Sequence, residues 1–189
     1  MRNLILSALA ACALVACGGP SSNEVTNAKQ ARYKGDPQTL LAAIKTIAES
    51  KQYVISKVDA QALTVETAGR WYQPTGTLAS ENDDMRQVPN NGLNLIFVAS
   101  LVPDGDAYIL KLHKRVLRNI AGSPKPDALS EDDISIPGWV NGTKDKLAYD
   151  LHDGLAQFQV ADPGAMPPGA APAAPAPAPA PASDSSPGY

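Results

Sequence analysis

Residues 93–117 read LNLIFVASLVPDGDAYILKLHKRVL. Two runs rich in branched and apolar residues are separated by Pro103-Asp104-Gly105-Asp106. Proline presets its own φ and glycine accepts a positive one, so these four residues read as the connection of a β-hairpin. Within the second run, period-two alternation puts Lys111, His113 and Arg115 on one face and Tyr108, Leu110, Leu112 and Val116 on the other. A sheet built on this hairpin therefore has one apolar face that another layer must cover.

Candidates for that covering layer flank the hairpin in sequence. Upstream, Asp36-Pro37 carries the signals of a helix start, an N-cap aspartate followed by proline at the first helical position. Leu40, Leu41, Ile44, Ile47 and Ala48 then recur at helical spacing. Downstream, Leu147, Leu151, Leu155 and Phe158 form one stripe, which predicts a second helix from about Thr143 to Gln159, with Asn141-Gly142-Thr143 read as a turn leading to a Thr143 cap. Between the first helix and the hairpin, QYVISKV turns at Asp59-Ala60 and pairs with ALTVETA, where Leu63, Val65 and Thr67 alternate with polar neighbours. ARYKG adds an edge strand and Arg70 to Gln73 a short one. The stretches 74–92 and 123–138 read as irregular. The expected fold class is α+β: a two-layer sandwich in which an antiparallel sheet of about five strands carries two helices on one face.

Both ends differ from this middle. The chain has 189 residues, a formal net charge of −3 and two cysteines, and its hydrophobic fraction is inflated by alanine at the two ends. No basic field of the kind that attracts nucleic acid is present. MRNLILSALAACALVA (residues 1–16) pairs Arg2 with an apolar run from Leu4 to Val15. As a helix that run spans about 18 Å, against the roughly 30 Å of a bilayer core, so it reads as a signal peptide and not as a permanent span. It ends in Leu14-Val15-Ala16-Cys17-Gly18, which resembles the lipobox of bacterial lipoproteins at every position. The resemblance implies a diacylglycerol on the Cys17 thiol, cleavage between Ala16 and Cys17, and acylation of the new amino group. Multiple acyl chains give an anchor that does not readily leave. Gly18 in place of aspartate implies, within that family, transfer to the periplasmic face of the outer membrane.

Residues 17–31, rich in Gly, Ser and Asn, read as a flexible tether holding the domain some tens of ångströms from the bilayer. Residues 32–160 are the globular domain. From 161 to 189 the Ala-Pro alternation withholds an N–H at every second residue, which predicts a disordered tail of polyproline II character. The segment 37–67 resembles the opening α-β-β unit of helix-grip domains, which occur in outer-membrane lipoproteins of the β-barrel assembly machinery.

Chemistry-bearing residues are sparse. No Gly-x-Ser-x-Gly elbow, phosphate loop or zinc-ligand spacing occurs, so no catalytic residue, metal or other cofactor is expected. His152, beside Asp153, points away from it and reads as surface. ENDDM (81–85) and SEDD (130–133) lack the ligand spacing of a calcium loop and read as solvated turns. The candidate partner-binding residues are Trp71, Tyr72 and Trp139, which fall beside the irregular stretches, and the basic strip Lys111, His113 and Arg115. The expected function is a non-catalytic interaction or scaffold module of the cell envelope, anchored through Cys17 and contacting an envelope protein or peptidoglycan. The alternative is a periplasmic carrier of a lipid or other apolar ligand between helices and sheet.

Overall fold

The computed structural model describes residues 19–80 and 88–160. Cys17, the ENDDM segment and the Ala-Pro tail lie outside the described residues. The elements are α1 (Ser22–Gln30), β1 (Arg32–Tyr33), α2 (Pro37–Ser50), β2 (Ile55–Asp59), β3 (Thr64–Thr67), β4 (Arg70–Tyr72), β5 (Leu78–Ser80), β6 (Leu93–Asp104), β7 (Ala107–Arg118), β8 (Asp127–Leu129) and α3 (Gly138–Gly154), closed by a 3₁₀ turn at Ala156–Phe158.

The hairpin is the spine of the sheet. β6 and β7 pair antiparallel from Asp104↔Ala107 to Leu93↔Arg118, so the connection is the two residues Gly105-Asp106 and not four. Gly105 has φ +65° at the first central position, as a type II′ turn requires. The outer edge of β6 takes β3 and β4, with β2 beyond β3 and β5 beyond β4, while the outer edge of β7 takes β1 at one end and β8 at the other. On β6, Leu93, Leu95, Phe97, Ala99 and Leu101 are buried in one cluster with Leu40, Leu41 and Ile44 of α2 and Val140, Leu147 and Leu151 of α3, and from Leu95 to Leu101 burial alternates.

The architecture is the α+β class expected, with eight strands and three helices among the described residues instead of about five and two. The added strands β5 and β8 have three residues each, too short to show a period. The third helix corrects the reading of 17–31 as a flexible tether. Ser21 accepts the N–H of Glu24 while Glu24 reaches back to the Ser21 N–H, a capping box, and Val25 and Ala28 are buried. Helix α1 rests on α3 and β7, so the folded unit begins at about residue 21, not 32. Only two apolar residues hold it, which is why no hydrophobic stripe announces it.

Helix α2 starts as read, with Asp36 accepting the Thr39 N–H at 2.9 Å and Pro37 at the first position. Helix α3 starts earlier than read. Asn141, Gly142 and Thr143 lie inside its first turns, and Thr143 Oγ1 donates back to the Trp139 carbonyl at 3.0 Å instead of capping. Gly154 lets α3 close on α2: a Cβ there would sit 2.7 Å from Ile47.

Candidate functional site

The sheet face opposite the helices carries the expected basic strip. Lys111 pairs across with Ser100, His113 with Val98 and Arg115 with Ile96. Two of the three are already engaged. Arg115 binds the carboxylate of Glu66 on β3, and His113 Nδ1 lies 3.3 Å from Glu131 Oε2. Lys111 has no ion pair among the described residues. The cross-strand partners of all three on β6, Ser100, Val98 and Ile96, are half-buried.

A cavity of about 350 Å³ opens where the outer edge of β7 is unclaimed, between the short β1 and β8. Leu110 and Leu112 reach it from the helix face of β7, and Lys111 and His113 from the other face, so the cavity wraps around the strand edge. Ala28 of α1 and Ala148 of α3 complete its apolar floor. Glu131 spans the mouth, with one oxygen toward His113 and the other 3.2 Å from Lys144 Nζ. Burial works to raise the Glu131 pKa, but the hydrogen bonds to His113 and Lys144 and the Lys144 charge hold it below the ordinary carboxylate value.

The aromatic trio is not brought together. Tyr72 and Trp139 meet on the helix side at 5.4 Å between centroids, both half-buried, and the Trp139 Nε1 donates to the Pro74 carbonyl at 3.0 Å. Trp71 is 2% exposed and pairs with Asn94 on the opposite face. Neighbours on a strand face opposite sides of the sheet, and a β-bulge decides which of Trp71 and Tyr72 faces the helices. Glu66 pairs with Val98 and Arg70 with Leu95; four steps along β3–β4 therefore match three along β6, which flips every later side chain. Thr67 Oγ1 fills the gap by accepting the buried Phe97 N–H at 3.0 Å. As a buried side chain, Trp71 is removed from the set of surface anchors.

Two residues outside the expected set prove notable. Lys114, 7% exposed, lies on the helix face of β7 opposite Phe97, with its ammonium donating to the Asn141 side-chain oxygen of α3. Burial, then the like charge of Lys144, lowers its pKa. The alternation that turns Leu110, Leu112 and Val116 toward the helices also passes through 114, and that was the available signal. His152, read as surface, is half-buried: the Tyr33 hydroxyl lies 2.9 Å from its Nδ1, and burial lowers its pKa despite Asp153. Among the described residues no cluster of His, Cys, Asp and Glu could hold a metal ion, and no helix is long and apolar enough to cross a membrane. No family model and no curated protein sequence matches the chain.

Proposed function

We propose that this chain is a bacterial lipoprotein, anchored through Cys17 to the periplasmic face of the outer membrane, whose domain serves as a non-catalytic interaction module. The observation that carries the reading is the LVAC sequence at 14–17 behind an apolar run of signal-peptide length. The resemblance of 37–67 to helix-grip domains of envelope-assembly lipoproteins points the same way. Helix α1 adds a distance. Its cap Ser21 is four residues from Cys17, at most about 14 Å of chain, so an anchored domain stands close to the bilayer. The half-buried Tyr72–Trp139 pair and the charged face around Lys111 and Arg115 are the surfaces it would offer an envelope protein or peptidoglycan. The test is mass analysis of the processed chain from membranes together with Cys17→Ser. An acylated N-terminal cysteine and release of the variant to the soluble fraction support the proposal, and an unmodified Cys17 overturns it. Crosslinking in intact cells then identifies the envelope contact.

The cavity at the β7 edge favours a second reading, a carrier of a small apolar ligand. At about 350 Å³ it falls at the lower end of the roughly 300–1,000 Å³ typical of small-molecule sites.

A further inference from the structure

We infer that the cavity at the β7 edge takes a single-chain amphiphilic anion, and that Glu131 occupies the headgroup position in its absence. The inference rests on the carrier reading of this cavity and names its ligand class. The floor is apolar, made by Ala28, Leu110, Leu112 and Ala148 from three different elements. The rim is cationic: Lys29, Lys111 and Lys144 line it, together with the His113 imidazole, against one carboxylate, Glu131. Of these groups Lys29 is paired with Asp145 at 2.8 Å, and Lys144 and His113 share Glu131. Lys111 has no ion pair among the described residues, so it is the rim cation left without a carboxylate. One anionic group fits this balance; a neutral apolar molecule would leave the rim unused, and a two-tailed lipid exceeds the volume.

The geometry around Glu131 states how the head would bind. Its carboxylate reaches from a loop across the strand edge to the His113 imidazole on β7, 3.3 Å from Nδ1, and to the Lys144 ammonium on α3, 3.2 Å from Nζ. An incoming carboxylate offers the same two acceptors and adds Lys111, while its chain removes apolar floor from water. Binding is therefore an exchange of one carboxylate for another, with the acyl chain as the surplus.

The test uses a chain beginning at Gly19, which contains every buried core residue of the described fold, with amide chemical shifts reporting both folding and binding. The probes are decanoate, decanol and acetate below their aggregation concentrations. The expected result is shifts at Leu110–His113, Ala28 and Ala148, with decanoate binding about tenfold or more tighter than decanol and acetate. Lys111→Ala should weaken decanoate but not decanol, and Glu131→Gln should tighten decanoate severalfold. Equal binding of decanol and decanoate at these residues overturns the anion inference and leaves the carrier reading standing. Shifts elsewhere, or no binding, overturn both. Weaker decanoate binding in folded Glu131→Gln overturns the competitor role.

Discussion

Lys114 is where the period of a strand meets the ammonium group's demand for water. Position 114 faces the helices, yet the side chain keeps one amide partner on Asn141 and stays charged at a cost. An inward charge on an edge strand also discourages pairing with a foreign strand, and the edge beside it is the open one. Lys114→Met should therefore raise stability by about 1–2 kcal/mol in denaturant unfolding at neutral pH and increase self-association. Because the folded-state pKa lies below the unfolded one, the lysine penalises folding most where both states are protonated. The advantage of Met should shrink as pH rises toward about 10.5. His152 has the same sign in a different window. Its lowered pKa means that, as pH falls below about 6.5, the unfolded chain takes a proton before the folded one does, and stability falls. A melting temperature that declines from pH 7 to 5 in the parent but less so in His152→Gln is the expected outcome.

At the level of elements, two local devices decide which faces meet. The bulge between β3 and β4 depends on Thr67 receiving the Phe97 N–H at 3.0 Å. Thr67→Val keeps the shape and strands that donor, so it should cost about 1–3 kcal/mol; a change under a few tenths would show that water or another group replaces the hydroxyl. Gly69, next to the bulge, faces the Asn94 amide so closely that a Cβ would lie 2.2 Å from its oxygen. The second device is the capping box of α1. Nine residues with two buried apolar side chains make a marginal helix. Ser21→Ala should cost about 1 kcal/mol locally and shows best as faster amide exchange across 22–30 with little change at α3.

Across the whole molecule, the short elements at the rim control what the long hairpin exposes. β1 and β8 cover only the two ends of the β7 edge, and the gap between them becomes the cavity, its floor completed by α1 and α3. Since α1 is also the element nearest Cys17, anchoring would bring that cavity toward the bilayer. For the anchored protein, a fluorophore on Ser22→Cys should be quenched by labelled lipid headgroups, with a separation of about 20 Å or less. Separation beyond about 40 Å would return the tether reading of 17–31.

Much of this molecule was legible before folding. The β6–β7 hairpin, the Asp36-Pro37 helix start, the β2–β3 pair and the face shared by Lys111, His113 and Arg115 are set by near-neighbour sterics and by periods of 2 and 3.6 residues, which a linear chain displays directly. What escaped depends on partners distant in sequence. The one-residue bulge that sends Trp71 to the far face, the folding of 22–30 on α3, and the meeting of Ala28, Leu110, Glu131 and Lys144 around one cavity have no local period to announce them. Each exists only because the tertiary structure supplies the second surface that pays for its order.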